Sequence, residues 1–311
     1  MKDTFSISEK LIQQILRKHG LRPFTSVEEI TTGLINPVFL INHSYILRVN
    51  TKQDAVSKKR FEKEAYLYPI LSKSRVPVPA FIAHDKSCET IPHEYLILSY
   101  FEGETLTRAY KNAGNEAKCS LAFQLGELAK KIHSVDVHDF FLRSDLFGSK
   151  ETWKQTTETE FETYFGLVKE KQLLPKGTIE NIERVSNEFA SLGNLSEIIC
   201  LIHGDFSRNN IQIRDNEIVG IFDFEMAIIG DPYFDLQKLP INFQLGESFD
   251  KQSFWAGYGQ PPISVEEMTR LRWYGIYQGL WEMWATETKK FPFGQNELQE
   301  GKTLISKALE M

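Results

Sequence analysis

His203-Gly204-Asp205-Phe206-Ser207-Arg208-Asn209-Asn210 and Ile221-Phe222-Asp223-Phe224-Glu225 are the two stretches on which the reading of this chain turns. The first is an H-x-D-x-x-x-x-N run set between short apolar segments at 198–202 and 211–213. The second puts an aspartate at the end of another apolar run, 218–222. Either alone is also what a polar turn looks like, because Asp and Asn often serve turns. Together they place a loop carboxylate, an amide oxygen five positions on, and a second carboxylate on a neighbouring strand end. A hairpin between them turns Asn210 and Asp223 toward one point and leaves Asp205 facing another.

Phosphoryl transfer asks for this set. An acceptor hydroxyl must be oriented and relieved of its proton, and metal ions must neutralise the triphosphate oxygens. Magnesium takes hard oxygen ligands and binds through one or two carboxylates plus phosphates and water. A third stretch follows in order, Gly230-Asp231-Pro232-Tyr233-Phe234-Asp235-Leu236. These residues resemble the catalytic and metal-binding loops of the aminoglycoside phosphotransferase and choline kinase superfamily, which shares the protein-kinase-like fold. The match runs through most of the chain. The resemblance implies that Asp205 is the catalytic aspartate, that Asn210 and Asp223 hold Mg2+, that His203 supports the loop, and that Asp231 helps hold the catalytic region. It implies ATP or GTP as donor and a small-molecule hydroxyl as acceptor. Phe-Glu after Asp223 departs from the Phe-Gly of protein kinases and fits the small-molecule branch.

Working outward, the N-terminal part alternates strand-like runs with one main helix. Residues 8–19 read as an amphipathic helix capped by Ser8, with Leu11, Ile12, Ile15 and Leu16 at helical spacing. Residues 38–41 and 45–49 flank Asn42-His43-Ser44 as a hairpin. Residues 57–71 read as a helix that Pro69 kinks near its end, 76–79 as an extended segment, and 95–98 as a buried strand. Beyond 103 the pattern turns helical: Leu121, Leu125, Leu128 and Ile132 form a stripe, 158–168 and 179–192 are further helices, and Ser264-Val265-Glu266-Glu267 opens one toward Trp284 with a capping box. The expected fold is therefore α+β and two-lobed, protein-kinase-like, with a small antiparallel-sheet N-lobe and a mainly helical C-lobe. The expected boundaries are 1–98 for a nucleotide-binding lobe, 99–103 for a hinge, and 104–311 for a catalytic and acceptor-binding lobe.

The small lobe adds weaker marks. Arg48, in a strand run, sits where kinases carry a basic residue that contacts phosphates and pairs with a helix glutamate. Glu64 is the expected partner, with Glu62 its competitor. Arginine keeps the charge of the commoner lysine but offers a planar fork. Residues 31–39, with Gly33 and Asn36, stand where a nucleotide-covering loop belongs, although no G-x-G-x-x-G is present. Ser99, Tyr100 and Phe101 are assigned to the hinge that meets the base on the resemblance only.

On the acceptor side, Glu247, Asp250, Glu282 and Glu287 are candidates for binding amines. Trp273, Tyr277, Trp281 and Trp284 recur at helical spacing, with Trp255 and Tyr258 nearby; such a stripe serves as a cage for a quaternary ammonium or, more often, as core.

The 311 residues suit two packed lobes. A net charge of −6 argues against a general nucleic-acid binder and is compatible with a cationic substrate. Cys88, Cys119 and Cys200 show no metal or disulfide spacing and point to a reducing compartment. With no signal-like start and no apolar run of membrane-span length, a cytoplasmic enzyme is expected, monomeric or homodimeric. The rival functions are a metabolic kinase for choline, homoserine or a sugar-like alcohol, a nucleotide-binding module without transfer activity, and a protein-modifying kinase.

Overall fold

The computed structural model describes residues 5–30, 36–149, 152–193, 195, 198–238, 249–289 and 294–311. In chain order these form α1 (Glu9–Lys18), β1 (Val27–Glu29), β2 (Val38–Ile41), β3 (Tyr45–Asn50), α2 (Ala55–Lys73), β4 (Phe81–Asp85), β5 (Glu94–Ser99), β6 (Glu104–Thr105), α3 (Leu106–Asn112), α4 (Asn115–His133), α5 (Ser144–Phe147), α6 (Trp153–Glu170), α7 (Lys176–Ala190), β7 (Cys200–Ile202), β8 (Ile211–Arg214), β9 (Glu217–Ile221), β10 (Ile228–Gly230), α8 (Tyr233–Leu236), α9 (Lys251–Tyr258), α10 (Val265–Glu287) and α11 (Gln295–Leu309).

The chain divides into two compact units, Met1–Leu106 with Asn210–Met226, and Thr107–Asn209 with Ala227–Met311. The expected lobes at 1–98 and 104–311, with a hinge at 99–103, differ from this in two ways: residues 99–106 fall in the first unit, and the hairpin after Asn210 makes an excursion into it. The cause of the excursion is backbone pairing. β6, just past the connector, lies antiparallel to β8, with Glu104 opposite Ile213 and Thr105 opposite Gln212.

In the first unit β1-β2-β3-β5-β4 make an antiparallel sheet. The β2–β3 hairpin turns through Asn42 and His43, both at positive φ (53° and 49°); short polar side chains tolerate this region. β5 reads as a continuous apolar run because it lies between β3 and β4 and is buried almost throughout. α1 starts where expected, with the Ser8 side chain accepting from the Leu11 N–H; it packs Ile12, Ile15 and Leu16 against Phe39, Leu47, Val49 and Tyr95. α2 begins two residues before the expected start, capped by Asp54, and runs on past Pro69 to Lys73.

The second unit is mainly helical. All four residues of the α4 stripe, Leu121, Leu125, Leu128 and Ile132, are buried. α4 meets α9 at backbone distance: a Cβ on Gly126 would fall 2.0 Å from the Phe254 carbonyl oxygen, and one on Gly257 2.0 Å from that of Phe123. α10 opens on the Ser264–Glu267 capping box. β7 pairs with β10, Leu201 opposite Ile229, so the segment entering 203–210 is tied to the segment entering 231–235. Among the described residues no helix is long and apolar enough to cross a membrane.

Candidate functional site

Within the first unit, β8 and β9 pair from Arg214–Glu217 back to Ile211–Ile221. The ladder continues one step further, with the Phe222 N–H donating to the Asn210 carbonyl at 3.0 Å. Asn210 and Asp223 thus leave the same end of one hairpin, as the hairpin reading expects. Asp223 has φ +68°, in the left-handed region. That conformation is held from α2: the Asp223 N–H donates to the Tyr68 hydroxyl at 3.2 Å, and the Phe224 N–H to Glu64 Oε1 at 3.1 Å. The Tyr68 hydroxyl itself donates to Glu64 Oε1 at 2.9 Å.

The expected Arg48–Glu64 pair is present, Arg48 Nη1 donating to Glu64 Oε2. Glu62, its rival, lies instead 3.4 Å from Lys86. Arg48 Nη2 stands 3.3 Å from Glu225 and 3.5 Å from Asp223, and Arg60 pairs with the other Glu225 oxygen at 2.9 Å. Burial opposes the charge on Arg48, but Glu64, Asp223 and Glu225 more than offset it, so its pKa is raised above the ordinary arginine value. Glu225, where protein kinases carry glycine, is therefore a second anchor for this arginine. Burial beside Arg60 pulls Lys63 down to about 8.

Magnesium fits the donors at this hairpin end. Asn210 offers an amide oxygen and Asp223 a carboxylate, both hard ligands, in the one-or-two-ligand number that leaves room for phosphates and water. The Asp223 side chain is 37% exposed while its backbone is fixed.

Of the other first-unit candidates, Gly33 lies outside the described residues. Asn36 Oδ1 is buried with no hydrogen-bond partner among the described residues. Ser99 and Tyr100 have their N–H groups engaged, Ser99 with the Ala80 carbonyl at 2.9 Å and Tyr100 with that of Ser44 at 2.8 Å. With Phe101, Tyr100 lines a cavity of about 560 Å³ that also takes in His43, Ser44, Glu102, Arg214 and Val219.

Within the second unit, residues 203–205 are gripped by the segment that carries α8. Asp235 accepts from the His203 N–H at 2.6 Å and the Gly204 N–H at 2.9 Å, and His133 Nε2 lies 3.2 Å from it. Gly204 sits at φ +78°, a conformation glycine adopts without cost. His203, the expected supporting residue, accepts at Nδ1 from the Asp205 N–H at 3.2 Å. Lys238, three residues past Asp235, donates to the Gly204 carbonyl at 3.0 Å and to Asp205 Oδ1 at 3.1 Å. Asp231, expected to hold the catalytic region, binds the Tyr233 N–H at 3.0 Å and meets Arg270 and Tyr274 of α10 at 3.3 Å. It anchors the start of α8, while Asp235 and Lys238 bond the loop directly.

Burial pushes both buried aspartates upward, but their net shifts are opposite. For Asp231 it prevails against the pull of Arg270. For Asp235 burial is outweighed by His133 and His203 and by the loop N–H, which hold its carboxyl below the usual range.

Of the acceptor-side residues, Trp273 is core, stacked on Phe189 at 3.9 Å and on Phe161 at 4.9 Å between ring centroids. Tyr277 and Trp284 pack on Tyr164, and Tyr258 bonds His133 at 3.1 Å. Asp250 caps α9 and Glu287 pairs with Lys171 at 2.6 Å. Glu247 lies outside the described residues. Glu282 keeps Oε2 buried with no hydrogen-bond partner among the described residues, and burial raises it to about 7. Sequence reasoning missed Tyr68, Asp235, Glu225 and Lys238 as contributors. Tyr68 carried one signal, its i+4 spacing from Glu64 on a helix.

Residues 26–274 match the model of the phosphotransferase enzyme family. The chain is 23% identical over 230 residues to acyl-CoA dehydrogenase family member 11 of Rattus norvegicus, covering 71% of this chain and 28% of that protein. It is 22% identical over 249 residues to acyl-CoA dehydrogenase family member 10 of Mus musculus, covering 78% and 22%. It thus spans only about a quarter of the length of these curated relatives. Among solved structures, the streptomycin–ATP ternary complex of APH(2″)-IIa superposes with a TM-score of 0.67 at 19% identity, covering 99% of this chain and 98% of that one. The GDP and kanamycin complex of APH(2″)-IIIa gives 0.73 at 18% identity, covering 97% and 98%. These likenesses establish the kinase-like α+β fold.

Proposed function

Because the chain belongs to the phosphotransferase enzyme family, we propose that it moves the γ-phosphoryl group of ATP or GTP to a hydroxyl of a small molecule. The observation that carries this reading is the hairpin end at which Asn210 and Asp223 emerge together, with Asp223 held from α2 and paired to Arg48. A bound Mg2+ would neutralise charge on the triphosphate oxygens, and Asn210 and Asp223 are the residues to hold it. Arg48, fixed by Glu64 and Glu225, steadies the phosphates with a planar fork. Asp205 orients the acceptor hydroxyl and takes its proton as the oxygen–phosphorus bond forms; the bond to the bridging oxygen breaks and nucleoside diphosphate leaves. Most of the acceleration on this account comes from positioning and charge complementarity. Free Cys88, Cys119 and Cys200 accord with a reducing cytoplasm.

The test is a panel of alcohols (aminoglycosides, choline, homoserine and simple sugars) incubated with ATP or GTP and Mg2+. Nucleoside diphosphate release and mass spectrometry of the acceptors are the readouts. The reading expects one class to be phosphorylated. Magnesium-dependent nucleotide binding with no product from any alcohol would favour a non-catalytic binding module instead.

A further inference from the structure

Lys238 is a buried cation in contact with the proposed catalytic carboxylate. Its side chain is 7% exposed, against 43% for Asp205. A lysine this buried needs polar partners for its ammonium, and two of them belong to the 203–205 loop: the Gly204 carbonyl and Asp205 Oδ1. The placement follows from one turn of chain. Asp235 and Lys238 are three residues apart, and the Lys238 N–H continues that turn by donating to the Asp235 carbonyl at 3.0 Å. The two side chains address the same loop with opposite charge: the carboxylate takes the N–H groups of 203 and 204, the ammonium takes the carbonyl of 204 and the side chain of 205.

We propose that Lys238 is a positioning residue for phosphoryl transfer, fixing the rotamer of Asp205 and offsetting its charge while the triphosphate is bound. The proposal rests on the phosphotransferase reading above. A carboxylate turns about its last torsion over a broad, roughly two-fold profile, so an aspartate with 43% exposure needs a partner to present one chosen oxygen. The Lys238 ammonium marks Oδ1 and thereby sets the direction of the other oxygen toward an acceptor hydroxyl. It also reduces repulsion between Asp205 and an incoming polyanion. In the transfer step the acceptor O–H bond breaks, its proton passes to Asp205, and nucleoside diphosphate departs with the electron pair of the broken P–O bond. The Gly204 bond secures the loop, but a neutral donor at 238 would serve that need as well. The charge is what the Asp205 contact adds.

The experiment compares wild type, Lys238→Met, Lys238→Cys and Asp205→Asn, measuring nucleoside diphosphate release from Mg·ATP and Mg·GTP with water and with the alcohol panel as acceptors. Lys238→Met is expected to lose about 10–100-fold in kcat, the usual loss for a partner that orients a reacting group without touching the substrate, with KM for nucleotide within about 3-fold. Lys238→Cys is then aminoethylated with bromoethylamine, which restores an ammonium on a stem of nearly lysine length; wild type treated alike controls for Cys88, Cys119 and Cys200. Recovery of most of the lost kcat is expected. Wild-type kcat in Lys238→Met overturns the proposal. So does a loss that aminoethylation leaves unrepaired, since a purely structural role at 238 needs no charge. Equal release by wild type and Asp205→Asn would overturn the phosphotransferase reading itself, and that arm tells the two failures apart.

Discussion

Arg48 on β3 is bonded to Glu64 on α2, and the same guanidinium lies 3.5 Å from Asp223 at the end of the β8–β9 hairpin. One side chain thereby links the sheet, the helix and the proposed metal-binding carboxylate. Glu64 has no exposed surface, so its charge depends on that cation and on the Tyr68 and Phe224 donors. Arg48→Met strands a buried carboxylate and should cost about 3–5 kcal/mol, read from urea unfolding. Arg48→Lys keeps a charge but loses the fork; it should cost less and show its effect as a raised nucleotide KM. Equal stability losses in the two variants would show that charge on Glu64 is not what Arg48 balances.

Tyr68→Phe tests the link between α2 and the left-handed Asp223. The ring keeps its edge contact with Phe224, at 5.9 Å between centroids, while the hydroxyl that serves both Glu64 and the Asp223 N–H is removed. A buried donor left without its partner costs about 1–3 kcal/mol. Stability should fall by that amount, and magnesium dependence of turnover should shift to higher metal concentration. An unchanged metal requirement would mean that Asp223 is positioned without Tyr68.

Asp231 and Arg270 form a buried pair at 3.3 Å, with Asp231 wholly buried and Arg270 8% exposed. Arg270→Leu should destabilise by about 3–5 kcal/mol because an uncompensated carboxylate remains. Adding Asp231→Leu should recover part of that loss, giving a favourable coupling energy in a double-mutant cycle. Additive losses would contradict a direct pair.

Glu282 makes stability depend on pH. Burial raises it to about 7 from an ordinary value near 4.5, so between those values the folded state holds a proton that the unfolded chain has lost. Stability therefore falls as pH rises through this window, and the full penalty stands above about pH 7. Glu282→Gln removes the charge. It should match wild type near pH 4.5 and exceed it at pH 8 by about 1–3 kcal/mol, from the size of the shift at 1.36 kcal/mol per unit. A wild-type advantage at pH 8 would mean that ionised Glu282 is compensated.

Much of this arrangement was legible in the sequence because it is local. The β8–β9 hairpin shows as two short apolar runs joined at Asp215-Asn216, both at positive φ in the structure (53° and 62°). The capping box at Ser264 and the α4 stripe are equally short-range signals. β4 was not legible: Phe-Ile-Ala-His-Asp lacks clean alternation, and a register irregularity interrupts its pairing with β5. The Trp273 stripe was ambiguous between cage and core, and only its stacking partners on α6 and α7 decide for core. Lys238 could not be read at all. A lysine beyond a short helix looks like solvated surface, and its burial depends on a loop more than thirty residues upstream.

The central claim is that Asp205 takes the acceptor proton while Asn210 and Asp223 hold the metal–triphosphate. The most direct measurement is transfer of labelled γ-phosphate from Mg·ATP or Mg·GTP by wild type and Asp205→Asn, with nucleotide affinity measured in parallel by calorimetry. The account predicts a loss of about 10²–10⁴-fold in turnover, the usual contribution of a positioned general base, with affinity within about 3-fold. Near-normal turnover by Asp205→Asn would contradict it.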